Sequence, residues 1–283
     1  MSNEDNKYHD DNNPLVPHVV EVVDIIERTP DIKSFLVKNS SGEGLPYHIK
    51  PGQCSMISLP AGESMISCTW QEDQEYQEYA VKRVGLVTEE LHQMEIGQKI
   101  GLRGPYGNGF PVEECKGKDM VFIAGGIGLA PLRSFIKYCF KNREHFGKIT
   151  ILYGSRSQAD LCFKEELFET WPQEPNTEVF VTIDNAEPGW EGHVGFVPAF
   201  LEELNPRPDH AIAVVCGPPV MIKFVLQSLE KMGYNDDQVI TTLEMRMKCG
   251  IGKCGRCNIG SQFICLDGPV YYLRQLKNLP PEW

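Results

Sequence analysis

The 283-residue sequence has no uncharged run long enough to cross a bilayer. The longest, around residues 121–132, falls short of the roughly 18 apolar residues a spanning helix needs, and three of its positions are glycine. Positive charge is not in excess either: 27 Lys and Arg stand against 39 Asp and Glu, and the formal charge of −12 opposes phosphate-backbone binding and anionic membrane surfaces. Nucleic acid and direct membrane insertion are thereby set aside. The opening residues, MSNEDNKYHDDNN, lack the apolar stretch of a secretory leader. Residues 1–13 are therefore expected to form a disordered acidic tail, and the protein is expected to be cytoplasmic. No internal repeat is visible, and no low-complexity segment beyond the tail.

What is present is the composition of a globular chain, 41% hydrophobic and 23% charged, at a length that suits about two domains of ordinary size. Ten cysteines form two populations. Cys54, Cys68, Cys115, Cys139, Cys162 and Cys216 are scattered, mostly beside apolar neighbours, as buried small hydrophobes are. Cys249, Cys254, Cys257 and Cys265 are clustered.

Residues 14–112 hold short β-type runs (HVVEVVDII, IKSFLV, CSMISL, YAVKRV, KIGL) between Gly, Pro and acidic turns, which predicts a small antiparallel barrel or sandwich. Residues 113–243 change rhythm. MVFIA, ITILYG, EVFVTI and AIAVVCG are continuous apolar runs suited to strands buried on both faces, with helical segments between them. In PLRSFIKYCF, for example, Leu132, Phe135, Ile136, Cys139 and Phe140 fall on one helical stripe. LCFKEELFETW, VPAFLEEL and the segment after Pro219 read as helices too, so the expected unit is a parallel α/β domain. Residues 244–283 are Cys- and Gly-rich, too few for a core of their own without a metal centre.

The spacing C-x4-C-x2-C, with a fourth cysteine after seven further residues, is the plant-type pattern for a 2Fe–2S cluster on four thiolates. Gly250, Gly252 and Gly255 interleave these ligands, as a loop that turns amides toward anionic sulfur requires. The competing reading is a four-cysteine zinc site, which favours two short C-x2–4-C knuckles, and only Cys254 and Cys257 make one comfortably. Gly125, Gly126 and Gly128 separate a buried strand from a helix with Pro131 in its first turn, a place where free amides and the helix dipole suit a phosphate. The run is not G-x-G-x-x-G, and alone it serves equally as a tight structural turn. Two further strand ends offer Ser155 with Arg156, and Cys216 with Gly217; ligands of open α/β sheets bind beyond such ends. Arg156 suits a ribose 2′-phosphate, a pyrophosphate or plain solvent. Asp184 suits a ribose or a turn cap. PGQ, SMIS, KRVGLVT and RGPYGNGF read as barrel corners.

The order of these motifs carries more than any one of them. PGQ and a serine strand, then KxxGxxT, GPxG, GGxGxAP, CGP and the four cysteines together resemble the ferredoxin–NADP reductase superfamily. The chain is similar to its branch with a C-terminal 2Fe–2S domain: sulfhydrogenase γ subunits, anaerobic sulfite reductase B subunits and dihydroorotate dehydrogenase electron-transfer subunits. The resemblance implies FAD on the barrel, NAD(P)H on the α/β domain, and a cluster on Cys249, Cys254, Cys257 and Cys265 that hands electrons to a partner redox subunit of hydrogenase, sulfite reductase, heterodisulfide-reductase or dihydroorotate dehydrogenase type. The family's R-x-Y-S motif falls on Ser64, Met65, Ile66 and Ser67. Only Ser67 matches, as the hydrogen-bond partner near flavin N5, and Ile66 is left to pack on the ring. Val81, Lys82, Gly85, Val87 and Thr88 become the remaining flavin contacts. Gly125, Gly126, Gly128, Ala130 and Pro131 are carried over to the dinucleotide pyrophosphate, and Cys216, Gly217 and Pro218 to the nicotinamide wall. The implied activity is a reversible diaphorase. Its rivals are a self-contained reductase for a diffusing acceptor and a non-catalytic zinc- or nucleotide-binding assembly subunit.

Overall fold

The computed structural model describes residues 13–41, 44–73, 75–244 and 246–280; the acidic tail expected over residues 1–13 lies almost wholly outside them. The first half is a seven-stranded antiparallel sheet of β1 (His18–Thr29), β2 (Ile32–Asn39), β3 (Cys54–Leu59), β4 (Gly62–Ser67), β5 (Trp70–Glu72), β6 (Tyr76–Lys82) and β7 (Lys99–Tyr106), with a short helix α1 (Leu86–His92). Its strand order is β4-β3-β7-β1-β2-β6-β5. The alternation read from HVVEVVDII places Val20 and Val22 in the barrel core with Phe35, Val37, Tyr79 and Leu102. Pairing of β1 with β2 shifts register twice, between Val22 and Asp24 and between Glu27 and Thr29, and such bulges bend a long strand around a small barrel.

The second half comprises β8 (Asp119–Gly125), α2 (Leu129–Lys141), β9 (Ile149–Ser155), β10 (Thr177–Ile183), β11 (His193–Val194), α3 (Val197–Leu204), β12 (Ala211–Cys216), α4 (Pro219–Lys231) and β13 (Val239–Thr242). These strands run parallel in the order β11-β10-β9-β8-β12-β13. β8, β9 and β12 are buried along almost their whole length, as their unbroken apolar runs predict. Chain order reverses between β8 and β12, which makes the gap beyond their carboxyl ends the binding crevice of the sheet. One expected helix is irregular: LCFKEELFETW forms a π-helical turn over Glu166–Thr170 and a 3₁₀ turn over Trp171–Gln173. Pro172 cannot donate an amide to an α-helix there.

The last segment holds β14 (Asn258–Ile259), β15 (Gln262–Phe263), α5 (Ile264–Asp267), β16 (Val270–Tyr272) and α6 (Leu273–Leu276). β16 pairs antiparallel with β13 and so extends the parallel sheet by one strand. The segment that follows Pro269 packs inward: Tyr271 and Leu276 are buried and Tyr272 donates to Glu114 at 2.9 Å.

Barrel and α/β unit share one core, since Ile32 and Ala80 pack with Leu129, Leu132 and Phe135. A buried ion network crosses the same boundary. Glu78 of β6, 2% exposed, accepts from Arg28 at 2.8 Å and from Arg133 of α2 at 2.7 Å, and Arg133 also pairs with Glu166 at 2.6 Å. Both guanidinium groups lie over the Phe163 ring, 4.7 and 4.8 Å from its centroid. Burial alone would raise the Glu78 carboxyl, but Arg133 and Arg28 hold it below the ordinary glutamate range. Replacing Glu78 by Gln leaves Arg28 without its carboxylate and Arg133 with Glu166 alone, and is expected to cost about 3 kcal/mol in denaturant unfolding. Because the folded-state pKa is depressed, the stabilisation is complete above the unfolded value near ~4.3 and is lost as pH falls through the folded one; unfolding curves between about pH 7 and pH 3 should lose that slope in the variant.

Candidate functional site

A cavity of about 820 Å³ opens at the sheet crevice and is lined by both halves of the molecule. The barrel supplies Asp31, Ile32 and Lys82; the α/β unit supplies Gly125, Gly126, Gly128, Ser155, Arg156, Asp184, Gly217 and Pro218. Glycine is required here by close approach. A Cβ on Gly128 would lie 2.5 Å from the Cys216 carbonyl oxygen, and one on Gly217 would lie 3.1 Å from the Gly125 nitrogen. Gly126 takes φ +54 and faces open space. Ala130 is buried in the core beneath this loop and does not line the cavity, a correction to its expected ligand contact. Arg156 is 71% exposed on its side chain and pairs with Asp160 at 3.3 Å. Burial, opposed by Arg156 and reinforced by Asp160, raises the Asp184 carboxyl.

Beside the cavity, the boundary between barrel and α/β unit carries two buried thiols. Cys54 lies 3.8 Å from the Ser67 hydroxyl, and Cys216 accepts from the Thr242 hydroxyl at 3.1 Å. Burial, reinforced by the Glu244 carboxylate, pushes these thiols up to about 11 and about 12, so both are neutral at ordinary pH and Cys216 is no nucleophile. Glu244 also lines the cavity. It was not anticipated from sequence, because the crevice is assembled from segments far apart in the chain; its only local signal is an acid directly after the apolar strand β13.

On the barrel, Ser64, Met65, Ile66 and Ser67 form the half-buried edge strand β4, next to α1: the Val87 side chain reaches to 3.4 Å from a Cβ built on Gly62. Val84 and Leu86, 75% and 81% exposed, flank Gly85. The Thr88 hydroxyl accepts from the amides of Val84 and Gly85, leaving the amides of Leu86, Val87 and Thr88 without intrahelical partners. Exposed apolar side chains, serine hydroxyls and free amides on these adjoining elements fit a flavin dinucleotide. Two expected contacts need correction. Val81 is sealed in the barrel core with its carbonyl taken by His92 at 2.8 Å, and Ile66 packs on that same core.

The four clustered cysteines fall into two side-chain pairs, Cys249 with Cys254 and Cys257 with Cys265. Two pairs of thiolates suit two irons, two ligands to each, better than one four-coordinate zinc. The amides of Ile251 and Lys253 point at Cys249 Sγ, both at 3.4 Å, and that of Gly252 at Cys265 Sγ at 3.2 Å. Burial opposes ionisation of Cys249, yet those amides and Cys254 bring it down to about 6. Gly250, Gly252 and Gly255 all take positive φ, which lets the loop turn its amides inward. The donor set fits a 2Fe–2S cluster.

RGPYGNGF is more than a barrel corner, because it clasps this loop. Arg103 donates to the carbonyls of Cys249 (2.9 Å) and Lys248 (3.1 Å) while held by both Glu63 oxygens at 3.1 and 3.0 Å. Asn108 donates to the carbonyls of Asp267 and Val270, and the Gly107 amide to that of Cys265.

Residues 122–227 match the oxidoreductase NAD-binding domain, and residues 244–277 the iron–sulfur cluster binding domain of dihydroorotate dehydrogenase B. Sulfhydrogenase 1 subunit gamma of Pyrococcus furiosus is 37% identical over 277 residues, 95% of this chain and 94% of that one. A probable dihydroorotate dehydrogenase B (NAD(+)) electron transfer subunit of Thermococcus kodakarensis is 34% identical over 262 residues, 92% of this chain and 98% of that one. The chain belongs to this family of electron-transfer subunits. An NADH-dependent reduced ferredoxin–NADP oxidoreductase structure, from work on flavin-based electron bifurcation, superposes with a TM-score of 0.75 at 24% identity, over 92% of this chain and 89% of that one. A ferredoxin–NADP⁺ reductase from Neisseria gonorrhoeae with bound FAD and NADP gives 0.66 at 21%, over 79% and 96%. The fold of this family member is that of the ferredoxin–NADP reductases. Gly128→Ala in it should raise the KM for reduced nicotinamide at least about tenfold in a dye-reduction assay, because the new methyl group meets backbone rather than a yielding side chain.

Proposed function

We propose that the protein is the NAD(P)H-linked diaphorase subunit of a larger cytoplasmic redox complex, with electrons passing between NAD(P)H, FAD, a 2Fe–2S cluster and a partner redox subunit in either direction. Among the described residues no helix is long and apolar enough to cross a membrane. The observation that carries the reading is a single barrel serving two neighbours: its Lys82 closes the dinucleotide cavity, and its Arg103 grips the cluster loop. FAD supplies the conversion this order needs, because a nicotinamide moves two electrons together and a 2Fe–2S cluster accepts one.

In this reading residues 14–112 hold FAD, residues 113–243 hold NAD(P)H, and residues 244–283 hold the cluster on Cys249, Cys254, Cys257 and Cys265. Gly125, Gly126 and Gly128, with Pro131 behind them, present backbone to the pyrophosphate. Ser155, Arg156 and Asp184 take the ribose end. Cys216, Gly217 and Pro218 wall the nicotinamide. Ser64, Met65 and Ser67 flank the flavin, with the Ser67 hydroxyl at its reactive nitrogen; Lys82, Gly85 and the amides of Val87 and Thr88 take its chain. Hydride transfer needs no side-chain acid or base, so these residues bind, orient and exclude water. The names of the relatives support a hydrogenase-type or dihydroorotate dehydrogenase-type partner.

Anaerobic titration with NADH and with NADPH tests the assignment. The expected result is bleaching of a flavin band together with an EPR signal of a reduced 2Fe–2S cluster. In Cys257→Ser the flavin should still bleach and the EPR signal should vanish. A colourless, zinc-containing protein indifferent to both nucleotides would contradict the assignment.

A further inference from the structure

The chain is acidic overall, yet the cluster loop is not. Arg246, Lys248, Lys253 and Arg256 fall within residues 244–257, where Glu244 is the single acid, while the whole chain carries −12. All four cations are exposed. Elsewhere the surface cations are commonly neutralised, as Lys116 is by Glu113, Lys148 by Glu178 and Lys277 by Asp236. None of the four has a carboxylate within 4 Å among the described residues. Lys248 feels Glu63, but that carboxylate is already committed to Arg103. The Asp267 carboxylate, the acid next to Leu266, is turned onto the Phe263 amide at 2.7 Å.

Three of these cations directly precede cluster cysteines in the chain, and the fourth lies three residues before Cys249. Cys254 is the one exposed cysteine of the ten. Lys253 precedes it, Arg256 precedes Cys257 and Lys248 precedes Cys249. Leu266, next to Cys265, is 52% exposed and stands over Gly252, where a Cβ would lie 2.4 Å from its Cδ1. An exposed leucine and an exposed thiol on a loop of exposed cations without carboxylate partners combine the apolar and charged elements of a small interface.

Resting on the electron-transfer reading above, we propose that the rim of this loop is the docking face for a redox protein that presents an acidic surface around its own centre. The repulsion between two acidic proteins is then overcome locally, and the positive field of the loop orients the partner on the cluster ligands as it arrives.

The test uses the full, cofactor-loaded chain and an acidic plant-type ferredoxin as the probe, with association measured calorimetrically in both oxidised proteins. Affinity should fall at least about tenfold between about 20 and 500 mM NaCl, since exposed charges are screened over that range. At low salt the double variant Arg246→Glu, Arg256→Glu should bind at least about tenfold more weakly than wild type, and at high salt the two should converge. The cluster EPR intensity of the variant shows that its fold is retained. Equal affinities for wild type and variant, or no dependence on salt, would overturn the docking face. Tighter binding of an RNA oligonucleotide or an anionic phospholipid vesicle to the same cations would overturn it too. NADH bleaching of flavin and cluster in the same preparation reports separately on the electron path, so a failure of that reading and a failure of the docking face are distinct results.

Discussion

A single buried guanidinium holds the redox geometry together. Arg103 sits within β7, 4% exposed, and directs its donors to both oxygens of Glu63, the Tyr106 hydroxyl and two carbonyls of the cluster loop. Its charge is balanced by one carboxylate and its remaining hydrogens are satisfied, the condition under which a buried cation is tolerated. The cluster segment needs this hold, because its own apolar core is small: Cys257, Ile259, Ile264, Cys265, Tyr271 and Leu276. The Tyr106 ring lies so near Gly250 that a Cβ there would come within 2.6 Å of it. Barrel and cluster loop therefore meet with no room for a side chain between them.

The second boundary, between barrel and nucleotide-binding unit, is built differently. There a shared apolar core is overlaid by the ion network of Glu78, Arg28, Arg133 and Glu166. Burial of such a network contributes less to stability than hydrophobic side chains of similar size would, but its hydrogen bonds specify one relative placement. A fixed placement is what hydride transfer across the crevice requires, since misplacement by about an ångström costs rate. Both boundaries serve the same end. Each neighbour of the barrel is held by an arginine whose carboxylate partner belongs to the barrel.

Much of this was legible in the sequence. Alternating and continuous apolar runs gave the two sheets nearly strand by strand, because burial on one face or two leaves different periodicities. Cysteine spacing singled out the four thiols that the fold brings into two pairs, because a loop that wraps a cluster constrains its own length. The glycine positions were legible for the same local reason. What escaped was long-range. RGPYGNGF reads as a corner until Cys249 and Lys248 arrive at Arg103 from some 145 residues downstream. Glu244 reads as a surface acid until Cys54 and Cys216 are placed beside it. Ala130 and Val81 belong to the right segments, but their side chains point into the cores, which a motif alone does not distinguish. The inward packing of Tyr271 was hidden likewise, since an aromatic tail looks the same whether it seals its own domain or a partner's.

The claim on which the account turns is that the Arg103 clasp sets the path from barrel to cluster. Anaerobic stopped-flow mixing of Arg103→Met with excess NADH, following flavin and cluster absorbance separately, tests it most directly. The account predicts flavin bleaching at the wild-type rate and cluster reduction slowed at least about tenfold, with iron and flavin contents unchanged. Wild-type rates in both phases would contradict it.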